Sequence, residues 1–150
     1  MQVRKISEKE FEKLSAPILF ENKLTNRVFG QISIEGHTYK FSWQSDEVNP
    51  VILSIRHGIV LIGIDVSLVI FNYNTGKVLL ELSLDYFFFD AKIYDDFIFV
   101  ISELEIIKIY SSTFEVARKY GLPDFIEEIE FKHGRIEVKC AGQDPIILDE

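Results

Sequence analysis

A chain of 150 residues that is 47% hydrophobic, with 13 Phe and 6 Tyr, carries enough apolar material for a filled core and is not a disordered polymer. Its apolar runs stop at about five residues, as at 97–101, far short of the roughly 20 that a membrane-spanning helix needs. The net charge of −8 is concentrated in residues 85–130, where eleven acids face four bases, and such a field repels nucleic-acid phosphate and anionic lipid surfaces alike.

In chain order, Met1 to Glu8 runs directly into charged residues and lacks the apolar stretch of a secretory signal, so a cytosolic location is expected. Ser7 followed by Glu10 has capping-box spacing, which predicts a helix that buries Phe11 and Leu14 and ends by Pro17. Residues 28–43 read as a hairpin. Ile32 and Ile34, then Tyr39, Phe41 and Trp43, alternate with polar residues around Glu35-Gly36-His37. The polar stretch 44–50 closes this N-terminal part.

From residue 51 the chain repeats itself every 38 residues without insertion. Ile55-Arg56-His57-Gly58-Ile59-Val60-Leu61-Ile62 aligns with residues 93–100 and again with 131–138, and Ser83-Leu84-Asp85-Tyr86-Phe87 aligns with Gly121-Leu122-Pro123-Asp124-Phe125. Each unit offers four short strands, near 51–56, 59–64, 67–73 and 77–84, then near 89–94, 97–102, 105–110 and 115–120. Turn chemistry separates them, as at His57-Gly58 and Asn74-Thr75-Gly76. A period of this size marks stacked supersecondary units with a shared core.

Four antiparallel strands in about 40 residues resembles the blade of a β-propeller, and the resemblance covers residues 51–150. The Trp-Asp and Gly-His marks of the best-known blade family are absent, so the likeness is one of architecture. The fold class is therefore all-β and mainly antiparallel: blade-like four-stranded units in an open or partial propeller, with one short N-terminal helix. The chain is read as one domain, with residues 1–50 as a cap and 51–150 as the repeats. Two full units and a truncated third are too few for a closed propeller. Open stacking, a curved sandwich or closure by self-association would each resolve that, and open stacking is favoured. Ile59, Leu61, Phe97, Phe99, Ile136 and Val138 are read as matching alternate positions that are buried against the neighbouring unit.

In such a meander the second turn of each unit lies at the same end as the link to the next unit. Asp65, Glu103 and Asp144 should then share an end with the links that carry Asp85, Asp124, Glu127 and Glu128, while His57, Asn74, Asp95-Asp96 and His133 occupy the other. The first of these ends is strongly acidic and edged by Tyr86, Phe87 and Phe125. Aromatic side chains beside acids suit a protein partner better than a small substrate.

No phosphate loop, nucleophile elbow or zinc-protease motif occurs in the sequence, so the protein is read as non-enzymatic, with no metal or cofactor expected. His57 and His133 are repeated turn residues, and Asp95-Asp96 reads as a solvated turn. The lone Cys140 excludes an internal disulfide and reads as a buried thiol. A small, acidic chain without catalytic motifs looks like the immunity proteins of bacterial toxin–immunity and contact-dependent growth inhibition systems. That resemblance implies a protein that neutralises a basic toxin, often a nuclease, by covering its active site. The alternative is a β-repeat scaffold without a toxin partner. In either case the expected partner-binding residues are Asp85, Tyr86, Glu103, Glu105, Asp124, Phe125, Glu127 and Glu128, with no direct contact to nucleic acid or membrane.

Overall fold

The computed structural model describes residues 1–23, 27–132 and 135–148. The chain divides into two compact units, Met1–Asp85 and Tyr86–Glu150. Both are built from antiparallel sheets of three or four strands, and the fold is all-β and propeller-like, with one short helix.

The first unit opens with a strand the sequence did not suggest, β1 (Val3–Ile6), followed by helix α1 (Glu8–Lys13). Ser7 caps α1 in a complete capping box: its hydroxyl accepts from the Glu10 N–H while the Glu10 carboxylate accepts from the Ser7 N–H. The helix ends at Lys13, so Leu14 is its C-cap rather than a face residue. β2 (Val28–Ile34) and β3 (His37–Trp43) form the expected hairpin, and the sheet order is β1-β2-β3. The turn is the dipeptide Glu35-Gly36 alone. Both residues take positive φ (48° and 83°), the conformation of a two-residue hairpin turn, and His37 already belongs to β3.

The outer edge of β3 is covered by residues 17–22, which run alongside it. The Leu19 N–H donates to the Lys40 carbonyl, the Lys40 N–H to Pro17, and the Ser42 N–H to Phe20. Lys40 is buried, and its ammonium donates to the Phe11 and Leu14 carbonyls at 2.6 and 2.8 Å, satisfying the C-terminal end of α1. The Phe11 ring stands 4.9 Å from Phe29, so the helix lies on this sheet as its amphipathic pattern suggested.

The second sheet of this unit is the first complete blade: β4 (Val51–Arg56), β5 (Ile59–Ile64), β6 (Ser67–Asn72) and β7 (Val78–Ser83), paired in sequence order. Val60, Ile62, Val69 and Phe71 pack against Ile32, Tyr39, Phe41 and Trp43 in one apolar cluster. Asp65, in the turn between β5 and β6 at φ 51°, accepts the N–H groups of Gln44 and Ser45 at 2.8 and 3.0 Å and so pins the exit of β3.

The second unit holds the next blade, β8 (Phe88–Tyr94), β9 (Phe97–Ser102), β10 (Glu105–Tyr110) and β11 (Val116–Gly121). Its last sheet is β12 (Ile126–Lys132), β13 (Arg135–Cys140) and β14 (Ile146–Leu148). The 38-residue period survives in the register of the second and third hairpins, which match pair for pair from the bulge at Phe88/Asp90 and Ile126/Glu128 to Tyr94–Phe97 and Lys132–Arg135. The first hairpin shares the closing pair, Arg56 with Ile59, but its bulge falls between Ser54 and Arg56, so residues 51–54 pair one residue out of step with their equivalents. The expected turn at His133-Gly134 lies outside the described residues.

The core expectation needs correction. Leu61, Phe99, Ile136 and Val138 are fully buried, but Ile59 and Phe97 are only half-buried. Moreover, Ile136 and Val138 stand 38 residues beyond Ile98 and Val100, not beyond Phe97 and Phe99. They occupy the other face of the repeating sheet. The physical reason is stacking: one face of a sheet must meet the opposite face of the next, and Phe99, Ile106 and Tyr120 indeed cluster with Ile136, Val138, Cys140 and Leu148. Cys140 is a free, buried thiol.

On the far face of this last sheet the pattern turns polar. Where β9 has Phe97, Phe99 and Ile101, β13 has Arg135, Glu137 and Lys139. Glu137 pairs with Lys132 at 3.0 Å and with Arg135 at 3.1 Å. Charge in place of apolar side chains suits a face that meets water rather than another apolar sheet.

Candidate functional site

The hydrogen bonds of the second unit confirm which turns share an end. The Glu103 N–H, in the turn between β9 and β10, donates to the Phe87 carbonyl at 3.0 Å, and the Leu122 N–H donates to the Leu104 carbonyl at 2.9 Å. The Ala141 N–H, in the turn after β13, donates to the Phe125 carbonyl at 2.8 Å. Second turns and inter-sheet links therefore lie together. At the opposite end the first and third turns meet, where the Asp96 carbonyl accepts from both the N–H and the hydroxyl of Ser111. The first unit follows the same rule, with Leu84 N–H donating to Val66 and Tyr73 N–H to Gly58.

The second unit thus gathers Tyr86, Glu103, Glu105, Asp124, Phe125, Glu127 and Glu128 about the link end of its sheets. Asp85 is exposed and closes the first unit. Not all of these residues are equally placed to meet a partner. Glu127 and Glu128 are exposed, and Glu127 has the Lys139 ammonium 4.0 Å away. Asp124 is half-buried and turns its carboxylate back onto the Phe125 N–H at 2.8 Å. Glu103 is half-buried and accepts the Phe87 N–H at 3.0 Å. Glu105 is only 9% exposed, and its carbonyl accepts the buried Ser102 hydroxyl. It is set back in the sheet and offers little contact surface.

The aromatic component is larger than the sequence pattern suggested. Phe87 is 55% exposed, Phe89 and Phe125 each 51%, and Tyr86 38%. Phe89 owes its exposure to a β-bulge, since the β8–β9 register shifts between Phe88 and Asp90. The same shift recurs 38 residues later between Ile126 and Glu128, which leaves Glu127 as the bulged residue of β12. Neither bulge leaves a mark in composition, so Phe89 could have been found only through its register equivalence to Glu127.

A hollow of about 130 Å³ opens beside this end among Glu128, Glu130, Glu137, Lys139 and Pro145. In the first unit a groove of about 460 Å³ is lined by Met1, Gln2, Val3, Lys5, Trp43, Asn49, Pro50 and Ile52. Hydrogen bonding to Lys132 holds the Glu137 carboxyl below its ordinary value and raises the Lys132 ammonium above its own. Among the described residues, no group of three or more His, Cys, Asp or Glu side chains could hold a metal ion. No helix among them is long and apolar enough to cross a membrane, a statement that does not extend to β-barrels.

No protein-family model and no curated protein sequence matches this chain. Solved structures are similar in fold. The computationally designed Ika4 protein superposes with a TM-score of 0.54 at 12% identity, over 92% of this chain and 94% of that one. The Pan2 WD40 domain of Neurospora crassa gives 0.44 at 12% identity, over 82% of this chain and 41% of the domain. The glutaminyl cyclase of Myxococcus xanthus gives 0.37 at 11% identity, over 88% and 63%. At these identities the likeness to Ika4 concerns fold alone.

Proposed function

We propose that this protein is a non-enzymatic binding protein that neutralises a basic toxin, in the manner of an immunity protein, by covering the toxin's active site with the link end of its second unit. One observation carries the reading. Exposed acids, Glu127 and Glu128, stand beside large exposed aromatic side chains, Phe87 and Phe125, at one end of the same sheets. Interfaces concentrate their binding energy in such aromatic anchors, and charge around them selects the partner. A cleft built to hold nucleic-acid phosphate is basic, and an acidic surface that fills it excludes the substrate without any chemistry of its own.

The test is a titration of the purified protein into the nuclease domain of a toxin encoded beside its gene. Cleavage should be lost at about one molar equivalent, through a stable complex. Undiminished cleavage at a large excess of this protein would sink the reading, and so would turnover of the toxin or of its substrate by this protein.

A further inference from the structure

We propose that Phe87 and Phe125 are a matched pair of anchors for one basic amphipathic helix of the partner, whose apolar side chains stand two turns apart. The proposal rests on the reading above, that the acidic link end is the interface. The two phenylalanines are the same residue of successive repeats, 38 positions apart, as are the residues that pin them. Glu103 N–H holds the Phe87 carbonyl and Ala141 N–H holds the Phe125 carbonyl. Each phenylalanine precedes a strand that bulges two residues later, and the two are exposed to nearly the same extent, 55% and 51%. Tyr86, by contrast, is equivalent to Asp124, so the aromatic partner of Phe125 is Phe87.

Their separation follows from the packing of the two sheets. The sheets of β8 and β12 pack face to face from the Tyr94 and Phe131 rings at one end to Tyr120, Leu122 and Ile126 at the link end, and sheets so stacked stand about 10 Å apart. A helix that rises 1.5 Å per residue covers about 10.5 Å in seven residues and returns to the same face. An extended strand covers about 10 Å in three residues, but those side chains point to opposite faces. The spacing therefore selects a helix over a strand. Charge selects its flanks. Glu127 and Glu128 are exposed beside Phe125, and Lys139 is the base that approaches them, at 4.0 Å from Glu127. Lys92, on β8, already faces Asp90. The acids outnumber these bases, so the helix should carry Lys or Arg on either side of its apolar stripe.

The probes are fluorescent lysine–alanine peptides of about 18 residues, long enough to hold helical structure. One carries two Leu seven positions apart, a second carries them five apart on opposite faces, and a third keeps the seven-residue spacing with Glu in place of Lys. Anisotropy titrations with the full chain at low salt should show the first binding about tenfold more tightly than the second, a difference of about 1.4 kcal/mol. Phe87→Ala and Phe125→Ala should each remove most of that advantage. If both basic peptides bind equally well and better than the acidic one, the acidic interface stands and the paired anchors are overturned. If the acidic peptide binds as well as the basic ones, the reading beneath the proposal falls too. Absence of binding by all three overturns the helix assignment.

Discussion

Phe87 and Glu103 hold each other twice: the Phe87 N–H donates to the Glu103 carboxylate at 3.0 Å, and the Glu103 N–H donates to the Phe87 carbonyl at 3.0 Å. An acid that reads as a free rim charge in the sequence is thus a bracket that fixes the link before β8. Glu103→Ala should lower stability by about 1 kcal/mol and speed hydrogen exchange at the Phe87 amide, while Glu103→Gln should retain most of that protection. Unchanged exchange in the alanine variant would show that the carboxylate does not hold the link.

Phe99 is fully buried between the two sheets of the second unit, with the Phe131 ring 5.2 Å away. Phe99→Ala should cost about 3–5 kcal/mol in chemical denaturation, because both apolar contact and a residual cavity are involved. Ile147 is 56% exposed, and Ile147→Ser should stay within about 0.5 kcal/mol. Similar losses at both positions would mean that the faces of β9 and β14 have been exchanged.

The strand plan was largely legible because the 38-residue period and the turn residues locate nearly every strand from 51 onward. What escaped was face and edge. Phe97 to Ile101 is apolar at every position, so alternation could not say which side chains meet the next sheet, and the packing of Phe99 against Phe131, Ile136 and Val138 decides it. β1 escaped because Arg4 and Lys5 interrupt a strand of four residues. Residues 17–22 escaped because their pairing with β3 is a tertiary contact that no local pattern announces. At the candidate site the charges and aromatics could be read from the sequence. The bracket at Glu103, the burial of Glu105 and the bulge that exposes Phe89 could not, since each depends on a neighbouring strand.

Gly30 lies under the Trp43 ring, and a Cβ there would stand 2.7 Å from the indole Cζ3. Real side chains do not approach so closely, so Gly30→Ala must push the ring out of the first unit's apolar cluster. A loss of about 1–3 kcal/mol is expected, as for overpacked cores. Trp43 is the single tryptophan of the chain, which makes its fluorescence a direct readout. Its emission should shift to longer wavelength and become more accessible to quencher. An unshifted spectrum with unchanged stability would refute the close packing.

The Glu137–Lys132 pair gives the stability a defined pH dependence at its two extremes. Glu137 is lowered from 4.5, so its contribution is present above that value and lost as pH falls through the lower folded-state value. Lys132 is raised from 10.5, so its contribution is present below that value and lost as pH rises through the higher one. The pair is half-buried and still reached by solvent, so both effects should shrink with added salt. NMR titration should place the Glu137 carboxyl below an ordinary glutamate, and Lys132→Met should return it toward normal. A normal midpoint in the unsubstituted protein would remove the pair as a source of pH dependence.

If the acidic link end receives a basic toxin, its charges and its aromatics should act on different rate constants. Long-range attraction steers encounter, whereas desolvated anchors decide how long the complex lasts. Glu127 and Glu128 are exposed, and Glu127 meets Lys139 only loosely, at 4.0 Å between exposed side chains, so Glu127→Lys with Glu128→Lys should leave the fold intact while changing the local charge by four units. Against a basic toxin domain this double reversal should slow association by about tenfold or more at low salt, and the gap should narrow as ionic strength approaches about 1 M. Phe125→Ala should do the reverse, leaving association nearly unchanged and speeding dissociation by about tenfold or more, as for a buried aromatic anchor. Stopped-flow association and surface-based dissociation measurements separate the two. An intact association rate in the double reversal, with an intact dissociation rate in Phe125→Ala, would make this end a solubility surface and move the interface elsewhere.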